Sequence, residues 1–127
     1  MPMKFYKCLK CGSIVAKLND VGCPPSCCGE PMLELRIGTT DGALEKHVPV
    51  VKEDGNKVYV QVGSVAHPME DDHYIEWIYL LTDKGSYIHF LRPHMEPRTI
   101  FEIGEGEVVL QVLEYCNKHG LYQANLE

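Results

Sequence analysis

The sequence predicts a mostly β chain, a small metal-held module followed by an antiparallel β-sandwich or barrel. Two observations carry this expectation. Five of the six cysteines fall within the first 28 residues. From His47 onward, short runs rich in Val, Ile, Tyr and Phe alternate with turn signals. Of the 127 residues, 45% are apolar, enough for a real core and against wholesale disorder.

The first domain is placed at residues 1–36. It holds few large apolar side chains and concentrates Gly22, Pro24, Pro25, Gly29 and Pro31 in a short stretch. Such a segment buries too little surface to fold unaided, so a bound metal has to supply much of the folding free energy. The second domain is placed at residues 37–127, with 37–46 as its leading linker. Strands are expected there over 48–51, 57–62, 73–81, 86–91, 99–103 and 107–115. Asp54-Gly55-Asn56, Asp83-Lys84-Gly85 and Gly104-Glu105-Gly106 supply turns. The run Val108-Val109-Leu110-Gln111-Val112-Leu113 has a pattern that a helix also satisfies; its β-branched residues and the surrounding rhythm favour strand.

Composition excludes several functions. A net charge of −6 argues against a nucleic-acid or membrane-surface binder, and no apolar run is long enough to span a bilayer. Met1-Pro2-Met3-Lys4 leads into a cysteine motif without an apolar signal region, which reads as cytoplasmic. A disulfide framework fits poorly with that compartment and with the adjacent pair Cys27 and Cys28. Thiolate metal ligation fits better.

Cys8-Leu9-Lys10-Cys11-Gly12 is a CxxC with a glycine behind it. The two-residue gap lets both sulfurs reach one metal, and Gly12 permits a tight turn that aims backbone amides at sulfur. With Cys27-Cys28-Gly29 it makes four thiolates, suited to iron or zinc in a tetrahedron distorted by the adjacent pair. This module resembles desulforedoxin, a small iron protein with a four-cysteine centre. The resemblance covers residues 5–32, rests on the CxxC with Cys-Cys-Gly-Glu-Pro-Met, and implies one iron held by Cys8, Cys11, Cys27 and Cys28, and pairing of two modules in a dimer. Cys23 departs from the pattern, as a free thiol or a replacement for Cys27.

A second donor set is spread over the larger domain. It comprises Cys116 and His119 in Tyr-Cys-Asn-Lys-His-Gly, His67 in Ala-His-Pro-Met, His73 in His-Tyr-Ile, and His47 in Glu-Lys-His-Val-Pro. A lone histidine is usually structural; four at predicted strand edges or loops, with a cysteine, read as a metal site. Together these motifs resemble the catalytic domain of desulfoferrodoxin, the two-iron superoxide reductase, in the right order over residues 40–120. The resemblance implies an immunoglobulin-like sandwich and a second non-haem iron with His47, His67, His73 and His119 as equatorial ligands and Cys116 as axial thiolate. It also implies reduction of superoxide to hydrogen peroxide, renewed by a rubredoxin-like electron donor, in a homodimer. Lys46 would attract the superoxide anion. Glu45, in a loop with Gly42, would become the sixth ligand of ferric iron.

The chemistry of such a set is arguable on its own. Imidazoles suit ferrous iron, and a thiolate opposite an open sixth position pushes electron density toward whatever binds there. Backbone amides of the turn 117–119 are expected to face the Cys116 sulfur. One positive charge at about 6 Å from the substrate, at an effective dielectric of about 20, is worth roughly 3 kcal/mol before screening by solvent and salt. Lys118 is assigned no role, and His89 and His94 are read as structural or exposed. Three other classes compete. A pure electron carrier gains nothing from an open position, a zinc staple uses four ligands rather than five, and a dismutase has to oxidise superoxide as readily as reduce it.

Overall fold

The computed structural model describes residues 3–38 and 44–126, with the side chains of Leu44 and Glu45 left aside. It divides into two compact units, residues 1–36 and 37–127.

In the first unit, β1 (Lys4–Lys7) is the centre of a three-stranded antiparallel sheet. It lies between β2 (Ile14–Lys17) and β5 (Leu33–Glu34). A hairpin of β3 (Ser26–Cys27) and β4 (Glu30–Pro31) completes it. These strands run two to four residues, too short to stand out as apolar runs, and sequence reading did not anticipate them. The apolar interior is Tyr6, Cys8 and Met32, with Val15 and Cys27 against them. So small a core contributes only a few kcal/mol, on the order of 1.5–3 per fully buried large side chain, and leaves the rest to a metal.

The second unit opens with one helical turn, α1 (Leu44–His47), and continues as strands: β6 (Pro49–Asp54), β7 (Lys57–Val62), β8 (Ile75–Thr82), β9 (Ser86–Phe90), β10 (Arg98–Glu102), β11 (Val109–Cys116) and β12 (Gly120–Gln123). They form two antiparallel sheets, ordered β10-β7-β6 and β12-β11-β8-β9. The chain makes two strands of one sheet, crosses for two of the other, returns for β10 and crosses again. That is the Greek-key route of an immunoglobulin-like sandwich, and the fold class expected from the sequence is the one found. Strand β7 alternates, with Val58, Val60 and Val62 buried and Lys57, Tyr59 and Gln61 less so, so one face enters the core. Ile75, Ile78, Leu80, Phe101 and Val112 meet those valines between the sheets.

The ambiguous run at 107–115 is strand, because β11 pairs along most of its length with β8. Strand β12 was not anticipated. It follows the Cys-x-x-His-Gly motif and pairs back onto β11 through Cys116 and Gly120. Part of the expected linker is pinned down: Ile37 bridges in parallel to Leu121, and the Gly38 amide donates to the Leu121 carbonyl at 2.6 Å. At the far end of β8 from His73, Glu107 closes the sandwich. Its carboxylate accepts from the Thr82 hydroxyl, the Gly104 amide at 2.7 Å and the Tyr87 hydroxyl at 2.8 Å.

Candidate metal centres

The first donor set is built by two turns. After β1, the Gly12 amide donates to the Cys8 carbonyl at 2.9 Å with Gly12 at φ 81°, so the chain folds back within the CxxC. The Cys11 amide lies 3.5 Å from the Cys8 sulfur. The β3–β4 hairpin pairs Cys27 with Glu30, leaving a two-residue turn of Cys28 (φ 54°) and Gly29 (φ 77°). Positive φ at both positions is the type I′ arrangement that matches strand twist. It explains how neighbouring cysteines serve one site: the chain reverses at Cys28 and brings its sulfur round beside that of Cys27.

Cys8, Cys11, Cys27 and Cys28 all lie with sulfurs within 4.8 Å of one another. Cys11 and Cys27 are 3.6 Å apart, and Cys27 and Cys28 3.9 Å. A tetrahedral ion with metal–sulfur distances of about 2.3 Å has sulfur–sulfur edges of about 3.8 Å, so the set fits iron or zinc without rearrangement. The cysteines are free thiols. Amides of Cys11 and Lys10 lower the Cys8 thiol to about 6, burial opposing them only in part. Hydrogen bonding with Cys11 and Cys8 pushes Cys27 up to about 12. One thiolate is therefore ready at neutral pH, whereas Cys27 and Cys28, both raised, yield protons as a metal binds. Cys23 is exposed and lies outside this group; Lys17 Nζ donates to its carbonyl at 2.9 Å.

The second set gathers at one end of the sandwich. His47 ends α1, His67 and His73 lie between β7 and β8, Cys116 ends β11, and His119 lies in the turn to β12. One register shift aligns Tyr115 with Trp77 but Cys116 with Ile75, a bulge of the kind that re-aims side chains beside functional sites.

The four imidazoles form a closed ring. Successive centroids are separated by 4.6 Å (His47–His67), 4.8 Å (His67–His73), 5.0 Å (His73–His119) and 4.8 Å (His119–His47), each pair edge to face at 70–82°. His47 Nε2 is 3.1 Å from both His67 Nε2 and His119 Nδ1. Nitrogens at about 2.1 Å from one ion lie about 3.0 Å apart at right angles and about 3.4 Å apart in a tetrahedron. The observed spacing is that of right angles. The Cys116 sulfur, 3.8 Å from His119 Nδ1, completes five donor atoms within 4.8 Å of one another. His73 Nε2 is buried with no hydrogen-bond partner among the described residues, an orphan that a metal satisfies. The set fits one ion ligated by four histidines and one cysteine.

The surroundings prepare these donors. His67 Nδ1 is 2.7 Å from the Pro68 carbonyl, which makes Nδ1 the protonated nitrogen and leaves the Nε2 lone pair facing the cluster. Burial lowers the His67 pKa to about 4 and depresses that of His73 as well, so both rings are neutral near pH 7. Burial raises the Cys116 thiol, and the backbone amides of Lys118 and His119 counter it. The expectation for the turn is corrected at one position: the Asn117 amide donates to the Tyr74 carbonyl at 3.2 Å instead. Tyr122 stacks on His47 at 4.7 Å and 27°. Glu114, fully buried, has its carboxyl pushed up to about 9 by that burial.

Lys46 is exposed at the end of α1 beside His47. Glu45 belongs to the same turn, but its side chain, like Gly42, lies outside the described residues. Lys118 Nζ stands 3.8 Å from Asp72, exposed. His89 is on β9. His94, at φ 71°, donates its amide to Met69 at 2.7 Å and places Nε2 3.0 Å from Asp71, so it braces the loop holding His67 and His73. Asn117 lies within the Cys-x-x-His motif and His94 is read from the sequence as structural or exposed, but the side-chain contacts of Asn117 and His94 and the stacking of Tyr122 had no signal in the sequence.

Fold and donor sets define a two-centre metalloprotein, a four-cysteine unit joined to a β-sandwich that carries a cluster of four histidines and one cysteine. The desulfoferrodoxin family profile matches residues 39–125. A desulfoferrodoxin from Nitratidesulfovibrio vulgaris is 50% identical over 126 residues, 98% of each chain. The superoxide reductase of Treponema pallidum superposes with a TM-score of 0.83 at 33% identity, covering 98% of both chains. A one-iron superoxide reductase of Giardia intestinalis matches 65% of this chain and 98% of its own, with a TM-score of 0.56 and 33% identity. This chain belongs to the desulfoferrodoxin family.

Proposed function

We propose that the protein is a superoxide reductase, converting superoxide, one electron and two protons to hydrogen peroxide. The observation that carries this reading is the closed ring of four imidazoles with a single cysteine sulfur beside it. Iron bound by His47, His67, His73, His119 and Cys116 would supply the single electron, and the Cys116 thiolate, moderated by the Lys118 and His119 amides, favours its donation. Five donors leave room for a small anion, which a four-ligand structural site does not.

The chain's own residues do the rest. Lys46 and the exposed edge of His119 keep the site open to solvent, from which the protons come. In a protein of net charge −6, long-range attraction of an anion is poor, so the local charge of Lys46 guides it. Glu45, in the same helical turn as His47, would be a further carboxylate ligand to that iron. The four-cysteine unit holds a second iron, with zinc as the alternative occupant of the same sulfurs. A rubredoxin-like donor, homodimer formation and a cytoplasmic location complete the reading. The names of the Treponema and Giardia relatives support the activity.

The test mixes anaerobically reduced, iron-loaded protein with superoxide in a stopped-flow instrument. The parent chain and a Cys28→Ser variant are expected to consume superoxide rapidly, and a Cys116→Ser variant at least about 100-fold more slowly, since a thiolate ligand is part of the centre's chemistry. Loss of activity in Cys28→Ser with full activity in Cys116→Ser would move the reaction to the wrong centre and end the reading.

A further inference from the structure

Asn117 directly follows the sulfur donor Cys116, yet its side chain turns away from the cluster toward a different donor segment. Its Oδ1 accepts from the Tyr74 amide at 3.0 Å, and its Nδ2 donates to the Asp72 carbonyl at 3.1 Å. The Asn117 amide itself donates to the Tyr74 carbonyl at 3.2 Å. The side-chain amide thus grips the peptide groups on either side of His73, and one residue ties the His73 backbone to the Cys116–His119 turn across 43 positions of sequence.

The other rings have contacts of their own. The His67 ring is held by the Pro68 carbonyl and His47 is stacked on Tyr122. His73 Nε2 is buried with no hydrogen-bond partner among the described residues, left to a metal, and where it lies depends on how the His73 backbone is held. Upstream, that backbone is fixed by a tight pairing with Glu70, amide to carbonyl at 2.9 and 3.3 Å. Downstream, the hold comes from Asn117. Only an amide side chain offers an acceptor and a donor at one distance from the main chain; aspartate keeps the acceptor alone and alanine keeps neither.

We propose that Asn117 is a positioning residue, setting His73 at the distance from Cys116 and His119 that one metal ion requires. The inference rests on the reading of the second centre as a site of four histidines and one cysteine, and the first centre of the same chain provides its control. The experiment uses the full chain with ferrous iron, under argon, in parent, Asn117→Ala and Asn117→Asp forms. Iron retained by each centre is followed against a graded chelator, the thiolate-to-iron absorption of the second centre is recorded, and amide exchange at Tyr74 is measured in the metal-free protein.

In Asn117→Ala the second centre is expected to lose about 10- to 100-fold in iron affinity, the usual effect of removing a group that orients a ligand. Its absorption band shifts, the four-cysteine centre keeps its affinity, and the Tyr74 amide exchanges faster. Asn117→Asp restores Tyr74 protection and an intermediate affinity. The proposal is overturned if Asn117→Ala holds the second iron as tightly as the parent with an unmoved band, or if both centres weaken equally. Should the alanine variant fail to fold, an aspartate variant with parental affinity and band overturns it just as well. If the parent chain takes up iron only in its four-cysteine unit, the reading of the second centre fails first, and the inference with it.

Discussion

At Gly38 the protein has room for a hydrogen and nothing larger. A Cβ there would stand 2.7 Å from two atoms of the Tyr122 ring, the ring on which His47 is stacked. Gly38→Ala is therefore expected to cost about 1–3 kcal/mol by overpacking and to disturb the second donor set through His47. Urea unfolding of the metal-free protein measures the first effect; iron affinity of the histidine–cysteine set, against an unchanged four-cysteine set, measures the second. Glu107 makes a separate prediction about acid. Hydrogen bonds from Thr82 first, then the Gly104 amide and Tyr87, lower its pKa in the folded state. A depressed folded pKa gives stability that is present above the unfolded carboxyl value near 4.5 and lost as pH falls through the lower folded one. Glu107→Gln should flatten the acid limb of the metal-free protein's stability profile below about pH 4.5; a profile parallel to the parent's throughout would show that the cluster is not what acid attacks.

Among the elements, the Cys28-Gly29 hairpin turn gives the sharpest test. Nothing lies within 4 Å of a Cβ built on Gly29, so substitution there costs only the left-handed backbone, about 1–2 kcal/mol for an ordinary side chain. Gly29→Val is expected to weaken metal binding by the four-cysteine set roughly 10-fold or more without touching the histidine–cysteine set, as chelator competition would read. This turn also shows what the sequence could and could not say. The Cys-Cys-Gly signature was legible because its chemistry is in the residue types, whereas the short strands around it were not, since two to four residues carry no period. Strand β7 was read end to end because Val58, Val60 and Val62 alternate with less buried neighbours. Strand β12 was missed because Gly120 and a single buried pair, Leu121 and Tyr122, leave no run. Both donor groups were named from motif chemistry, and the structure brings the named cysteine and histidine side chains together; the Glu45 side chain lies outside the described residues. The braces around them, Asn117, Tyr122 and His94, depend on contacts between residues far apart in the chain, such as His47 with Tyr122, which no local pattern encodes.

Over the whole molecule, two donor sets of different chemistry sit in two separate units. Four thiolates in a unit with a minimal core suit an ion that holds structure or stores an electron. Four imidazoles and a thiolate at the end of a well-packed sandwich suit an ion that meets a substrate. No helix among the described residues is long and apolar enough to cross a membrane.

The central claim is that the centre of four histidines and one cysteine reduces superoxide and does not oxidise it. Counting products tests it most directly: a known pulse of superoxide is given to anaerobic, fully reduced, iron-loaded protein, and peroxide and oxygen are both measured. One peroxide per superoxide with no oxygen is the predicted result. One peroxide and one oxygen for every two superoxides would contradict it and make the protein a dismutase.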